Sequence, residues 1–177
     1  GSGGLENYLI RLFDYSLSLH ADVIFTNNVK GVLYNRFVER AKNIEHFDLS
    51  SPFNIISHWK FARYLAKKRY VNFVDFRGSA SGLTMMLAWI FGVPNRMVFF
   101  RTAGRRYAFK GPNRLKEKLS LFLINSFSNT ICSNSNSVRS VYNISGSKYK
   151  FIPNAVELKP VNPMSVSNLR LELGINE

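Results

Sequence analysis

The stretch VNFVDFRGSASGLTMMLAWIFGVPNRMVFFR, residues 71–101, decides the fold class of this chain. Its first six residues, VNFVDF, predict a β-strand, and a loop of small residues follows. Residues 83–91 are almost continuously apolar and end at Gly92-Val93-Pro94, which is typical of a buried helix. Residues 96–100, in which four apolar residues follow Arg96, predict another strand. This order of elements predicts a βαβ unit with parallel strands.

The same alternation extends to both sides of this unit. The predicted strands cover 21–26, 43–49, 71–76, 96–100, 130–132 and 149–152. The predicted helices cover 5–16, 34–41, 55–65, 83–91, 112–127, 136–142 and 165–173. Strands that alternate with helices predict the α/β class, with a parallel sheet that carries helices on both faces.

Length and composition fit a single domain. The chain has 177 residues, is 46% hydrophobic and contains 15 Phe, which is enough to fill a core. No run reaches the roughly 18 uninterrupted apolar residues that a membrane-spanning helix needs. Cys132 is the one cysteine, so an internal disulfide is excluded and a reducing cytoplasmic setting is expected.

The charge is strongly positive and unevenly distributed. The formal net charge is +13, and Glu117 is the only acid between Asp75 and Glu157. The same interval contains twelve bases, namely Arg77, Arg96, Arg101, Arg105, Arg106, Lys110, Arg114, Lys116, Lys118, Arg139, Lys148 and Lys150. A field of one sign attracts nucleic acids, phosphorylated small molecules and acidic lipid head groups. Composition does not choose among them.

The chain opens with Gly1-Ser2-Gly3-Gly4 in front of the first predicted helix. Small residues at a helix N-terminus leave backbone N–H groups free to bind phosphate, although a cloning linker has the same composition. The dinucleotide-binding fingerprint matches poorly. The fingerprint needs a third small residue at the position of Glu6 in this chain. It also needs an acid at the end of the next strand, where this chain has Asn27 and Asn28.

Six segments resemble, in order and spacing, landmarks of one protein family. They are Gly3-Gly4-Leu5-Glu6-Asn7-Tyr8-Leu9, Val74-Asp75-Phe76-Arg77-Gly78, Gly92-Val93-Pro94-Asn95-Arg96, Ile131-Cys132-Ser133-Asn134-Ser135-Asn136-Ser137-Val138-Arg139, Ile152-Pro153-Asn154-Ala155-Val156-Glu157 and Leu169-Arg170-Leu171-Glu172-Leu173-Gly174-Ile175. The family is the N-terminal domain of the family-four retaining glycosyltransferases, a GT-B group that builds bacterial polysaccharides and glycolipids. The resemblance covers nearly the whole chain, and each motif is moderately specific.

The resemblance implies a Rossmann-like half of a GT-B enzyme of the hexosyltransferase type. Residues 1–158 would form the acceptor-side domain, and residues 159–177 a linker and first helix that lead to a donor-binding domain. The family's first strand would precede Gly3. The donor would be a nucleotide-diphosphate sugar, with no metal or other cofactor required. The fragment alone would be inactive, and the enzyme would work in the cytoplasm on the cell envelope.

The resemblance also assigns roles to particular residues. Gly3 and Gly4 would lie near the donor diphosphate, and Arg101 stands where many members carry a catalytic His. A guanidinium stays protonated, so Arg101 cannot act as a base, but it can grip phosphate or carboxylate. The acceptor-binding candidates are Arg77, Gly78, Arg105 and Arg106, and Asn154 would lie at the edge of the cleft. Arg105 and Arg106 are equally compatible with ordinary solvated loop charges.

The second hypothesis is a stand-alone basic α/β module that binds nucleic acid or an anionic membrane. No helix-turn-helix, zinc-ligand or RNP pattern supports nucleic acid. In one basic helix Lys116 and Lys118 accompany Leu115, Leu119, Phe122 and Leu123, which is compatible with lying on a membrane. Packing of the same apolar stripe against the sheet is the preferred interpretation. Peripheral contact with an anionic membrane through the wider basic surface remains an expectation.

The remaining polar and aromatic residues predict no further site. The three histidines His20, His46 and His58 lie in unrelated segments, so no metal site is expected. Trp59 and Trp89 fall at helical core spacing and are predicted to be buried.

Overall fold

The computed structural model describes residues 4–15, 20–27, 31–101, 112–144 and 146–153. The helices are α1 (Gly4–Tyr15), α2 (Tyr34–Val38), α3 (Ile55–Lys68), α4 (Gly82–Ile90), α5 (Pro112–Phe127) and α6 (Ser137–Tyr142). The strands are β1 (Asp22–Phe25), β2 (Asn43–His46), β3 (Asn72–Asp75), β4 (Asn95–Phe100), β5 (Thr130–Ser133) and β6 (Tyr149–Phe151). The helix and linker predicted after residue 158 lie outside the described residues.

Every strand pair among the described residues is parallel, as the alternation of elements predicts. Strands β3, β4, β5 and β6 form a four-stranded sheet in that order, and β1 pairs with β2 in a second sheet. The chain therefore reaches each new strand through a crossover that contains a helix.

Side-chain alternation along β4 places helices on both faces of the larger sheet. Val98 and Phe100 belong to a buried cluster that also holds residues of α4, α5 and α6. Phe99 lies between them in the chain and therefore points to the opposite face. There its ring lies 6.0 Å from the ring of Tyr8 in α1. Helix α1 thus covers the face opposite to α4, α5 and α6.

The smaller sheet is covered in the same way. Ile24 of β1 packs on the cluster that joins α3 to α4. The ring centre of the neighbouring Phe25 lies 5.5 Å from that of Phe37 in α2. Asp14 of α1 accepts a 2.6 Å hydrogen bond from Arg40, just after α2. Helices α1 and α2 therefore lie on one side, and α3 to α6 lie on the other. The predicted class, α/β and Rossmann-like with helices on both faces, is confirmed.

A buried carboxylate joins several elements at the amino ends of the strands. Asp22 accepts hydrogen bonds from Tyr64 at 2.9 Å, from the Asn43 amide at 2.7 Å and from Tyr70. Burial raises the pKa of the Asp22 carboxyl, but the hydrogen bonds from Tyr70, Asn43 and Tyr64 outweigh burial and lower it. This cluster fixes β1 and β2 against the end of α3, away from the strands' carboxyl ends.

The prediction that both tryptophans are core residues is wrong. The exposed fraction of Trp59 is 61%, and that of Trp89 is 53%. Helix α3 instead buries His58, Phe61 and Leu65, which occupy the opposite side of the helix from Ile56. Helical spacing identifies an apolar stripe, but it does not say which of two apolar stripes faces the sheet.

The preferred interpretation of the basic helix is also wrong. Leu115, Leu119 and Phe122 are exposed and Leu123 is half-buried, so three of the four residues of this stripe do not pack against the sheet. Helix α5 packs inward through Ile124 and Leu121 instead.

Gly82 lies where α4 meets α5, and a side chain there has no room. A Cβ at this position would lie 2.5 Å from Oγ of Ser120 and 2.7 Å from its Cα. We expect Gly82→Ala to lower the free energy of unfolding by about 1–3 kcal/mol, because the backbone of α5 must move. Urea unfolding measures this change. Gly31→Ala is the control, since a Cβ there meets nothing within 4 Å. If Gly82→Ala changed the free energy of unfolding no more than Gly31→Ala does, the close contact between Gly82 and Ser120 would be contradicted.

Candidate functional site

The carboxyl ends of β3 to β6 lie along one edge of the larger sheet, because the strands are parallel. Arg77 and Gly78 follow β3, Arg101 follows β4, and Ser133 ends β5. Ligands of open α/β sheets bind outside such an edge. We therefore place the candidate site there.

The structure brings two of the predicted site residues together at this edge. A Cβ at Gly4 would lie 3.4 Å from Nη2 of Arg101, so the guanidinium lies against the first residue of α1. The Arg101 side chain is half-buried. The N-terminus of a helix carries a partial positive charge and exposed N–H groups. Together with the guanidinium it can bind an anion, although the first turn of α1 also contains Glu6.

Arg77 points into the protein. Its Nη2 donates to Asp75 at 2.7 Å and to Thr84 Oγ1 at 2.8 Å, and its Nη1 donates to the Leu49 carbonyl at 3.0 Å. The side chain is 15% exposed. Arg77 therefore connects the end of β3 to α4 and to the segment after β2. Its predicted contact with an acceptor stays a prediction.

Asp75 is the buried partner of Arg77. Its carboxylate also accepts hydrogen bonds from Thr84 Oγ1 at 2.6 Å and from the Arg77 backbone N–H at 2.9 Å. Burial raises the pKa of the Asp75 carboxyl, but the Arg77 guanidinium and the hydrogen bonds from Arg77 and Thr84 lower it below the usual value. Sequence reasoning missed this pair, although an acid two residues before a base at a strand end was the available signal.

Gly78 has a packing role beside this pair. Its φ is +62°, in the left-handed region that glycine adopts without strain. A Cβ there would lie 3.3 Å from the ring of Phe100. Glycine therefore lets the turn after β3 lie against the end of β4.

The other predicted site residues are not placed by the structure. Gly3, Arg105, Arg106 and Asn154 lie outside the described residues. Within the described ranges, no three His, Cys, Asp or Glu side chains form a group that could hold a metal ion. No helix in the same ranges is long and apolar enough to cross a membrane.

Comparison with known proteins gives structural matches only. No protein-family model matches the chain, and no curated protein matches it. The crystal structure of Anabaena HepE (Alr3699) in complex with UDP superposes with a TM-score of 0.73 at 17% identity, over 98% of this chain and 47% of HepE. HepE in complex with UDP and glucose gives 0.66 at 18% identity, over 98% and 48%. HepE in complex with UDP-glucose gives 0.68 at 17% identity, over 98% and 47%.

This likeness shows the fold. The chain spans about half the length of the HepE chain, and nearly all of it takes part in the match. The chain is thus similar in fold to one half of a protein that has been crystallised with UDP and with UDP-glucose.

Proposed function

We propose that this chain is the acceptor-side, N-terminal half of a retaining glycosyltransferase of the hexosyltransferase type. The complete enzyme moves a sugar from a nucleotide-diphosphate sugar to a glycan or lipid-linked acceptor. The fold likeness to Anabaena HepE is the observation that carries the proposal, because UDP-glucose is a nucleotide-sugar donor of this kind. The six ordered motifs support the same conclusion.

Within this proposal, Gly4 and Arg101 hold the charged groups of the reaction. The guanidinium against the start of α1 supports a phosphate of the donor, of the leaving nucleotide or of an anionic acceptor. Such a contact stabilises negative charge that develops as the glycosyl bond breaks. Arg101 does not remove a proton, since it stays charged. Gly3 would extend the phosphate contact, and Asn154 would lie at the cleft edge.

The two halves of the enzyme divide the work. Residues 1–158 bind the acceptor, residues 159–177 lead to the second half, and that half binds most of the donor. The donor is the one small molecule required, with no metal or further cofactor. We place the enzyme in the cytoplasm, at the inner face of the plasma membrane. The buried free thiol of Cys132 is compatible with a reducing compartment.

A stand-alone basic module is the less favoured function. Net charge alone supports it, whereas the likeness to HepE extends over 98% of the chain. Charge describes which partners are attracted and not which fold or reaction is present.

The proposal is tested on a protein that joins this chain to its donor-binding half. We expect one nucleotide sugar from a panel that includes UDP-glucose to yield a glycosylated product and free nucleotide diphosphate, both identified by mass spectrometry. The 177-residue chain alone is the control and should transfer nothing. The absence of donor binding and of transfer with every sugar nucleotide would contradict the proposal.

A further inference from the structure

An apolar stripe of α5 faces solvent. Leu115, Leu119 and Phe122 are 71%, 57% and 64% exposed, and their spacing places them along one side of the helix. Ile124, on the opposite side, is buried in the core. The inward packing of α5 therefore leaves this stripe uncovered among the described residues.

The start of α3 extends this surface. Phe53, Ile55, Ile56 and Trp59 are also strongly exposed. The Nζ atom of Lys116 lies 5.3 Å from the centre of the Phe53 ring, which joins the start of α5 to the start of α3. We call these residues the outer surface; it consists of Phe53, Ile55, Ile56, Trp59, Leu115, Leu119 and Phe122. Apolar groups that are exposed together in this way mark interaction sites.

The exposed charges of α3 to α5 have one sign, and Asp48, which accepts a hydrogen bond from Asn54 just before α3, is an acid beside the outer surface. The acid of these helices, Glu117, is buried, and α4 has no charged residue. The exposed bases of α3 and α5 are Lys60, Arg63, Lys67, Arg114, Lys116 and Lys118, together with Lys68, whose Nζ lies 3.5 Å from the Asp22 carboxylate at the opposite end of the strands. A shallow depression along α3 has Phe47 and Phe91 in its lining, with Lys60, Arg63 and Lys67 beside them.

We propose that the outer surface docks on an anionic lipid bilayer. Exposed aromatic and aliphatic side chains enter the head-group region, while lysine and arginine bind lipid phosphates at its border. Aliphatic Ile55, Ile56, Leu115 and Leu119 have no stacking face for a nucleobase, which disfavours nucleic acid. A second copy of the chain would bring two basic surfaces together, and they would repel.

The position of the outer surface connects it to the candidate site. Helices α3 and α5 both begin after the carboxyl ends of strands, at the same end of the molecule as Gly4 and Arg101. Docking would hold that end near the bilayer. The docking itself does not depend on the transfer reaction.

The test is sedimentation of the 177-residue chain with vesicles. Vesicles of phosphatidylcholine with one quarter phosphatidylglycerol should bind the chain, and added salt should weaken the binding. Vesicles of phosphatidylcholine alone should bind it much less. The combined variant Leu115→Ser, Leu119→Ser and Phe122→Ser should lower the partition coefficient at least about tenfold. Lys116→Gln with Lys118→Gln should lower it too and reduce the dependence on salt.

Matched substitutions on α1 and α2, which lie on the opposite side of the sheets from α3 and α5, are the control. Leu12, Tyr15 and Val38 of α1 and α2 are also exposed, and their change to Ser should leave binding unaltered. Arg11→Gln with Lys42→Gln controls for net charge. The proposal is overturned if anionic vesicles do not bind the chain. It is also overturned if the serine variant of α1 and α2 loses as much binding as the serine variant of α5. Dimerisation abolished by the α5 variant, or RNA binding without vesicle binding, would overturn it as well.

Discussion

Arg77→Ala is expected to lower the free energy of unfolding by about 3–5 kcal/mol, since it leaves a buried carboxylate without its counter-ion. Asp75 is 5% exposed, and the Arg77 guanidinium lies 2.7 Å from it. The same change removes the hydrogen bonds that Arg77 donates to Thr84 and to the Leu49 carbonyl. Urea unfolding followed by circular dichroism measures the loss. Arg11→Ala, at an exposed position on α1, is the control and should change stability by less than about 0.5 kcal/mol.

The pH dependence of the free energy of unfolding shows how much the ionised Asp75 carboxylate contributes to stability. The pKa of Asp75 is lower in the folded chain than in the unfolded chain, so its contribution is present above the unfolded pKa and is lost as the pH falls towards the folded pKa. Asp75→Asn should therefore flatten the acid side of the stability curve. An Arg77→Ala variant as stable as the parent chain would show that the pair does not hold the end of β3.

The same variant tests the acceptor prediction for Arg77. A residue that acts through packing alone should change stability and leave the KM for the acceptor unaltered in enzyme that remains folded. A residue that touches the acceptor should raise the KM.

Arg101→Ala is expected to lower the kcat of the complete enzyme about 100-fold, the loss typical when one charge-stabilising group is removed. The guanidinium against Gly4 is the group that would meet a phosphate at the start of α1. Arg101→Lys should keep part of the activity, because an ammonium supplies charge without the two-pronged geometry of the guanidinium. Release of nucleotide diphosphate measures the rate.

Two controls show whether the loss of kcat in Arg101→Ala comes from the missing guanidinium. Arg11→Ala removes an equal charge from α1 at a position away from the strand ends and should leave kcat unchanged. Urea unfolding of Arg101→Ala should show that the variant remains folded. Unchanged activity in Arg101→Ala would remove this residue from the proposed mechanism.

The positions of the helices and strands follow from local sequence. Helix α5 begins at Pro112 and ends at Phe127 as predicted, and β4 begins one residue before the predicted start. Stretches rich in apolar residues, prolines and glycines influence only a few residues on either side, so they can be interpreted without knowing which distant segments pack against them. The parallel arrangement also follows, because strands separated by helices need crossovers.

The candidate site could be predicted in part. The carboxyl edge and the region of Gly4 and Arg101 followed from the order of strands and the resemblance. The contact between these two residues joins positions 97 residues apart and depends on how α1 crosses the sheet. The inward direction of Arg77 likewise depends on Leu49 and Thr84, which the chain brings from other elements.

The sequence by itself determined the α/β class, the order of the elements and an excess of positive charge. Tertiary structure alone decided which side of α3 and α5 is buried. Both helices have apolar residues on two sides, so periodicity permits either orientation. The orientation that forms packs Phe61, Leu65 and Ile124 into close-fitting clusters, and it leaves Trp59 and Phe122 in solvent. Packing is a property of many distant residues at once, and a local pattern does not contain it.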